Sequence, residues 1–172
     1  MTWVIVPAIA ALLALLAILA RNGLLRLRDS VQSSWASLDS LLLERHDLLA
    51  EFVELCTRHM RYEQDVLERV ARADAATFGA AARGDIPALA AAEMLLRASV
   101  TSLLALAENY PVLCAEAGFI ALRERVLCVG VAIIERRELY NSAVNLLNVR
   151  SQAFPHRMVA RAIGFHAEVL FE

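Results

Sequence analysis

Val112, Phe119, Val126, Ile133, Tyr140, Leu147 and Phe154 recur every seven residues without interruption. A seven-residue repeat is close to two helical turns, so it keeps a row of large side chains on one face of a helix. In a strand the same residues would alternate between faces. Beside this row run Leu113, Ile120, Leu127 and Ile134, continued in polarity by Asn141 and Asn148. Two adjacent rows predict a stripe wide enough to bury against more than one helix. No alternating apolar–polar run of useful length competes with this pattern. The chain is therefore predicted to be all-α, with a long helix from Pro111 to Phe154 that stops before Pro155. The expected architecture is an N-terminal transmembrane helix followed by an antiparallel up-down-up-down four-helix bundle of two long and two short helices.

The other helices follow from periodicity and breakers. From Leu24 to about Thr57 there is no Pro or Gly. Trp35, Leu38, Leu42, Arg45, Leu49, Phe52 and Cys56 alternate spacings of three and four there, a coiled-coil seam. A second helix is expected over about Arg61 to Ala82, stopped at Arg83-Gly84-Asp85-Ile86-Pro87. Gly84 ends it, Asp85 caps the next helix and Pro87 suits that helix's first turn. The third is expected from Ile86 to Asn109, broken at Tyr110-Pro111 because proline disfavours helical dihedrals at the residue before it. Neither Gly nor Pro marks a break between the first two helices, so one continuous helix from Leu24 to Ala82 is an alternative.

Met1 to Ala20 carries no charged side chain; as a helix it would span about 30 Å, the hydrocarbon core of a bilayer. Trp3 falls where an interfacial aromatic belongs, and Pro7 lies near the start, where a helix tolerates it. A cleaved signal peptide is the weaker reading, because no Arg precedes the apolar run and no good A-x-A site precedes Arg21. Arg21, Arg26 and Arg28 follow, opposed only by Asp29, so the positive-inside rule puts the N-terminus outside and the body inside. The expected organisation is an anchor over 1–22, a bundle over 23–154 and a short helical segment over 155–172 near the membrane surface. In that last segment Met158, Val159, Ile163 and Phe165 can face lipid or bundle while Arg157 and Arg161 meet anionic headgroups. A short helix packed over the base of the bundle is the alternative.

Composition narrows the chemistry. Hydrophobic residues make up 59% of the chain and the net charge is −2, so no global field draws nucleic acid and none is expected as a partner. Cys56, Cys114 and Cys128 are an odd set without a C-x-x-C pair, which fits a reducing compartment. No glutamate has a histidine three residues on, as a di-iron bundle requires. Cys56-x-x-His59 lacks the second ligand pair that zinc needs. His156 and His166 read as surface or interfacial side chains. Nucleophile elbows, P-loops and dinucleotide fingerprints are absent. Neither a metal, a cofactor nor an enzymatic activity is expected.

Several short motifs resemble the LemA family of bacterial membrane-anchored proteins over roughly 31–172. They are Arg45-His46-Asp47-Leu48, Ala92-Glu93 with Leu96, Glu108-Asn109-Tyr110-Pro111, and Phe119 with Leu122. Further on come Arg137-Glu138-Leu139-Tyr140-Asn141, Val144 with Asn148, Phe154-Pro155, and Gly164-Phe165 to Phe171-Glu172. From Tyr140 to the C-terminus the spacing needs no gap. The resemblance implies a membrane helix followed by a four-helix bundle in the bacterial inner membrane and cell envelope, and no established enzymatic activity. The chain departs from the family pattern at Ala50, where a proline usually stands, at Tyr62 in place of a common histidine, and at Gly130 in place of an acid.

The charged group Arg45-His46-Asp47 interrupts an apolar helix. In an antiparallel bundle Arg45, about 32 Å along the first helix from Leu24, comes level with about Asp74, Glu93 and Ala132. An arginine on an apolar seam must find a carboxylate, because burying an unpaired charge is very costly. Arg45 is expected to pair with Glu93, with Asp74 or Glu135 as substitutes, and Gly130 leaves room for the guanidinium. Arg45, His46, Asp47, Glu93, Tyr140, Asn141 and Asn148 together form the expected buried polar core, its amides setting register near the membrane. Successive residues step about 100° around a helix and do not converge on one point, which argues against catalysis. Two function classes remain. One is a non-catalytic scaffold or adaptor, meeting a protein partner or further copies of itself through exposed charges such as Arg61, Glu68, Arg69 and Arg72. The other is a membrane-associated sensor or small-ligand carrier using the polar core.

Overall fold

In the computed structural model, which describes residues 2–154, 156–162 and 167–171, the first helix, α1, runs unbroken from Thr2 to His59. The uncharged stretch and the charged seam thus belong to one rod. Gly23 does not interrupt it, since an isolated helical glycine costs only about 1 kcal/mol relative to alanine. The rod stops without Gly or Pro: Met60 is fully buried, and the N–H of Glu63 donates to the carbonyl of Met60 at 3.1 Å in a tight turn. Burying one methionine therefore does what a breaker residue would do, and the continuous-helix alternative from Leu24 to Ala82 does not hold.

The second helix, α2, spans Gln64–Arg83 and ends on Gly84 at φ 65, a left-handed cap. The side chain of Asp85 then accepts from the Ala88 N–H at 3.1 Å to start α3, Ile86–Ala107. The expected long final helix is in fact two elements, α4 Pro111–Cys114 and α5 Ala117–Gln152, and the short helical segment expected over 155–172 contains α6, His156–Ala162. The unforeseen break falls at Ala115-Glu116, where the Glu116 N–H turns back to the Leu113 carbonyl at 3.0 Å. That turn buries Leu113 completely and leaves its neighbour Val112 74% exposed. No strand occurs among the described residues.

The chain divides into two units, Met1–Ala36 with Leu139–Leu170, and Ser37–Glu138 with Phe171–Glu172. In the second, α2 and α3 pack against each other. The seam of α1 is buried from Leu38 to Cys56, Arg45 included. Phe52 of α1 stacks on Phe119 of α5, ring centroids 5.3 Å apart. In the first unit, Leu24, Val31, Tyr140, Val144 and Leu147 are buried, and Trp35 meets Tyr140 at 5.6 Å.

The seven-residue row is buried from Phe119 to Leu147 and exposed at both ends, with Phe154 82% exposed. The adjacent row is not a second core row. Ile120 and Leu127 are exposed, and the buried companions are Val129 and Val144, three or four residues from the first row. The buried stripe is the narrower seam of spacings three and four.

Among the described residues the helix long and apolar enough to cross a membrane is α3, with mean hydropathy 1.5. It carries Glu93 and Arg97 and buries Leu89, Ala92, Glu93, Leu96 and Leu103. Five of its first thirteen residues are alanines, and it packs on α2.

Phe52→Ala should cost about 3–5 kcal/mol by removing a fully buried ring, whereas Val112→Ala should shift stability by less than about 0.5 kcal/mol. Urea unfolding of the chain, followed by far-ultraviolet circular dichroism, measures both. Equal effects would contradict the burial pattern.

Candidate functional site

Arg45 lies on the α1 seam between Leu42 and Leu49 and is 8% exposed, as is Glu93 on α3. Its Nη1 donates to Glu93 Oε2 at 2.9 Å and its Nη2 donates to Oε1, a bidentate fork. Two parallel charge-assisted bonds fix the guanidinium plane as well as its charge. The Nε of Arg45 is buried and has no hydrogen-bond partner among the described residues.

One residue on, the helix has turned by about 100°, and His46 faces α2 instead. Its Nδ1 lies 2.6 Å from Oδ2 of the buried Asp74, and its ring stacks on Phe78 at 4.6 Å. Burial raises the Asp74 carboxyl above its ordinary range and Glu93 adds slightly to that, while the His46 contact and Arg45 pull it back. A further step carries Asp47 off the seam, where it is exposed.

The expected polar core is therefore redistributed. Arg45 and Glu93 meet, and His46 is half-buried. Asp47 lies outside the core, because the helical step that presents His46 to α2 turns its neighbour to solvent. Asp74 serves His46 rather than Arg45, both of whose Nη atoms are occupied by Glu93. Glu135 is exposed.

Beside the ion pair opens a groove of about 230 Å³ between α3 and α5, walled by Leu96, Val100, Leu104, Leu127 and Val131. Gly130 lines it too, and a Cβ there would meet nothing within 4 Å. Packing does not demand glycine at this point. The groove went unrecognised in the sequence, although its signal is there in Leu127 and Ile134, apolar residues of the second row that do not enter the core.

In the other unit, Asn148 clamps the C-terminal segment. Its Nδ2 donates to the Glu168 carbonyl at 2.9 Å and its Oδ1 accepts from the Glu168 N–H at 3.1 Å. Tyr140 is buried, and its hydroxyl donates to the Val169 carbonyl at 3.1 Å. Asn141 is half-buried. Asn148 and Tyr140 thus bind the non-helical backbone of the C-terminal segment rather than hydrogen-bonding a facing helix.

His59 Nε2 lies 3.0 Å from Glu116 Oε2. The Cys56 thiol is pushed up to about 12 by burial and by Cys114, which makes it a core hydrophobe with little thiolate character. No cluster of three or more metal-ligating side chains occurs among the described residues. Trp3, Arg21, Arg26, Arg28, Arg157 and Arg161 are all exposed. His156 is half-buried beside α1. Ile163, Phe165 and His166 lie outside the described residues.

These features define an all-helical protein whose first helix is tied to two others by charged side chains at adjacent positions. The chain belongs to the LemA family, whose profile matches residues 34–172. No curated protein shows significant similarity to it.

A carboxyl raised on folding binds its proton more tightly in the folded chain. Asp74 therefore contributes stability that is complete below its ordinary value of 3.8 and is lost as pH rises through its folded value. The stability difference between the wild type and Asp74→Asn should accordingly fall as pH increases above 3.8. Urea unfolding at a series of pH values measures it, and a difference that is flat or rises with pH would contradict the assignment.

Proposed function

We propose that the protein is a non-catalytic scaffold of the cell envelope, held in the bacterial inner membrane by one N-terminal span. Its bundle is antiparallel and four-helical and lies in the cytoplasm, with the N-terminus outside. One observation carries the anchoring most directly: Trp3, Val6, Leu12, Leu15, Leu16, Ile18 and Leu19 are all exposed on α1, and the apolar run ends at Arg21. That much contiguous apolar surface is not left to water by a folded protein, and the three arginines that follow favour the cytoplasmic side. The antiparallel reading is supported by the sequence of contacts: higher positions on α1, from Phe52 to His59, meet lower positions on the final helical stretch, from Phe119 to Glu116.

The scaffold's contact surface is best sought on α3. Met94 and Leu95 are 72% and 65% exposed there. The charges of α2, including Glu68, Arg69 and Arg72, form a solvated face whose Glu68–Arg72 pair is long at 3.7 Å. A second reading, a sensor or small-ligand carrier, is favoured by the unpartnered Arg45 Nε beside that groove. Native mass spectrometry of the gently solubilised protein separates the two: a retained small molecule supports the carrier, and stable association with protein supports the scaffold.

Alkaline carbonate should leave the full chain with the membrane and release a chain lacking residues 2–20. The exposed Cys128, in a Cys114→Ala background, should react with a membrane-impermeant maleimide only after the cells are permeabilised. Labelling in intact cells would overturn the orientation, and carbonate release of the full chain would overturn the anchor.

A further inference from the structure

We infer that Arg157 and Arg161 form a pocket for the phosphate of an anionic phospholipid. The inference rests on the anchored reading above and adds a site and a ligand class to it. The first observation is the pocket itself, about 230 Å³, lined by Ser151, Gln152, Arg157, Ala160, Arg161 and Ala167. The two arginines are one helical turn apart on α6, so both guanidiniums reach the same space. Neither forms an ion pair among the described residues. The Ser151 hydroxyl is committed to the Asn148 carbonyl at 2.7 Å, which leaves the guanidiniums and the Gln152 amide as donors. Two positive forks with no carboxylate among the described lining residues make a site for an anion with several oxygens, and phosphate geometry matches the guanidinium fork.

The second observation is height. His156, the first residue of α6, puts its Nε2 3.5 Å from the position a Cβ would take at Gly23. α6 therefore begins alongside α1 just beyond Ala20, where the uncharged stretch ends. Gly23 is about 4.5 Å further along the helix than Ala20. With 1–20 in hydrocarbon, that level is the headgroup layer, where lipid phosphates lie. The exposed Met158, between the two arginines, can enter the boundary between headgroups and acyl chains. A lipid phosphate, held by its acyl chains at this depth, is favoured over a free anion because it is already concentrated beside the pocket.

The test uses the full chain in nanodiscs of phosphatidylcholine containing a small fraction of phosphatidylglycerol, with retained lipid read by native mass spectrometry. Wild-type protein should retain phosphatidylglycerol selectively. Arg157→Lys with Arg161→Lys, which keeps the charge but loses the forks, should lower retention on the order of ten-fold. Arg26→Lys with Arg28→Lys, on α1 outside the pocket, should leave it unchanged. Wild-type retention by the Arg157/Arg161 lysine variant would overturn the pocket in favour of diffuse attraction to the surface. Displacement of the lipid by millimolar inorganic phosphate would overturn the lipid as the ligand. Carbonate extraction of the same samples keeps the outcomes apart: a chain that stays in the membrane yet shows no selectivity refutes this site alone, whereas a chain that is released refutes the anchor beneath it.

Discussion

A guanidinium on an apolar helix seam commits the rest of the fold to bring it a carboxylate. Arg45 cannot stay charged and nine-tenths buried alone, since an unpaired charge in that setting costs several kcal/mol. Glu93 meets it with both oxygens, which fixes the rotation of α1 against α3. Because the next residue points about 100° away, His46 reaches Asp74 on α2. Two consecutive residues thus orient one helix against two others.

Apolar contacts alone would not specify this arrangement so narrowly. Leu38, Leu42, Leu49 and Phe52 would pack almost as well if a neighbouring helix slid by a turn, because leucine-rich surfaces are nearly self-similar at that spacing. A slide of one turn, about 5.4 Å, would part the Arg45 fork from Glu93. The ion pair adds little net stability over a well-packed apolar pair; its contribution is to penalise the wrong registers. The Asn148 clamp applies the same logic to backbone. A non-helical C-terminal segment has no helical partners for its N–H and C=O groups, and one amide satisfies both at Glu168.

Helical class, the α1 seam and the Arg45–Glu93 pair were legible in the sequence because each depends on spacing and on the cost of an unpaired charge. Gly84-Asp85 was legible as well, its cap chemistry being local. The end of α1 was not, because Met60 stops the helix through tertiary burial that no breaker announces. Nor was the break at Ala115-Glu116, where the gain is the burial of Leu113. Asp47 was misassigned to the core because three adjacent charged residues read as a cluster in one dimension and fan out around a helix in three. Asn148 and Tyr140 were recognised as important polar residues, but their hydrogen-bond partner is backbone twenty or more residues away, which no periodicity encodes. The groove beside Gly130 lies between α3 and α5 and leaves only a faint trace in either.

A double-mutant cycle between Arg45→Met and Glu93→Leu tests the central constraint most directly. If the buried pair sets the register, each single change should destabilise by about 3–5 kcal/mol. The double variant should lose no more than either single change does, giving a coupling energy of about 3 kcal/mol or more. Single effects that add to within about 0.5 kcal/mol would mean that the two side chains do not depend on each other, and that the fold finds its register by other means.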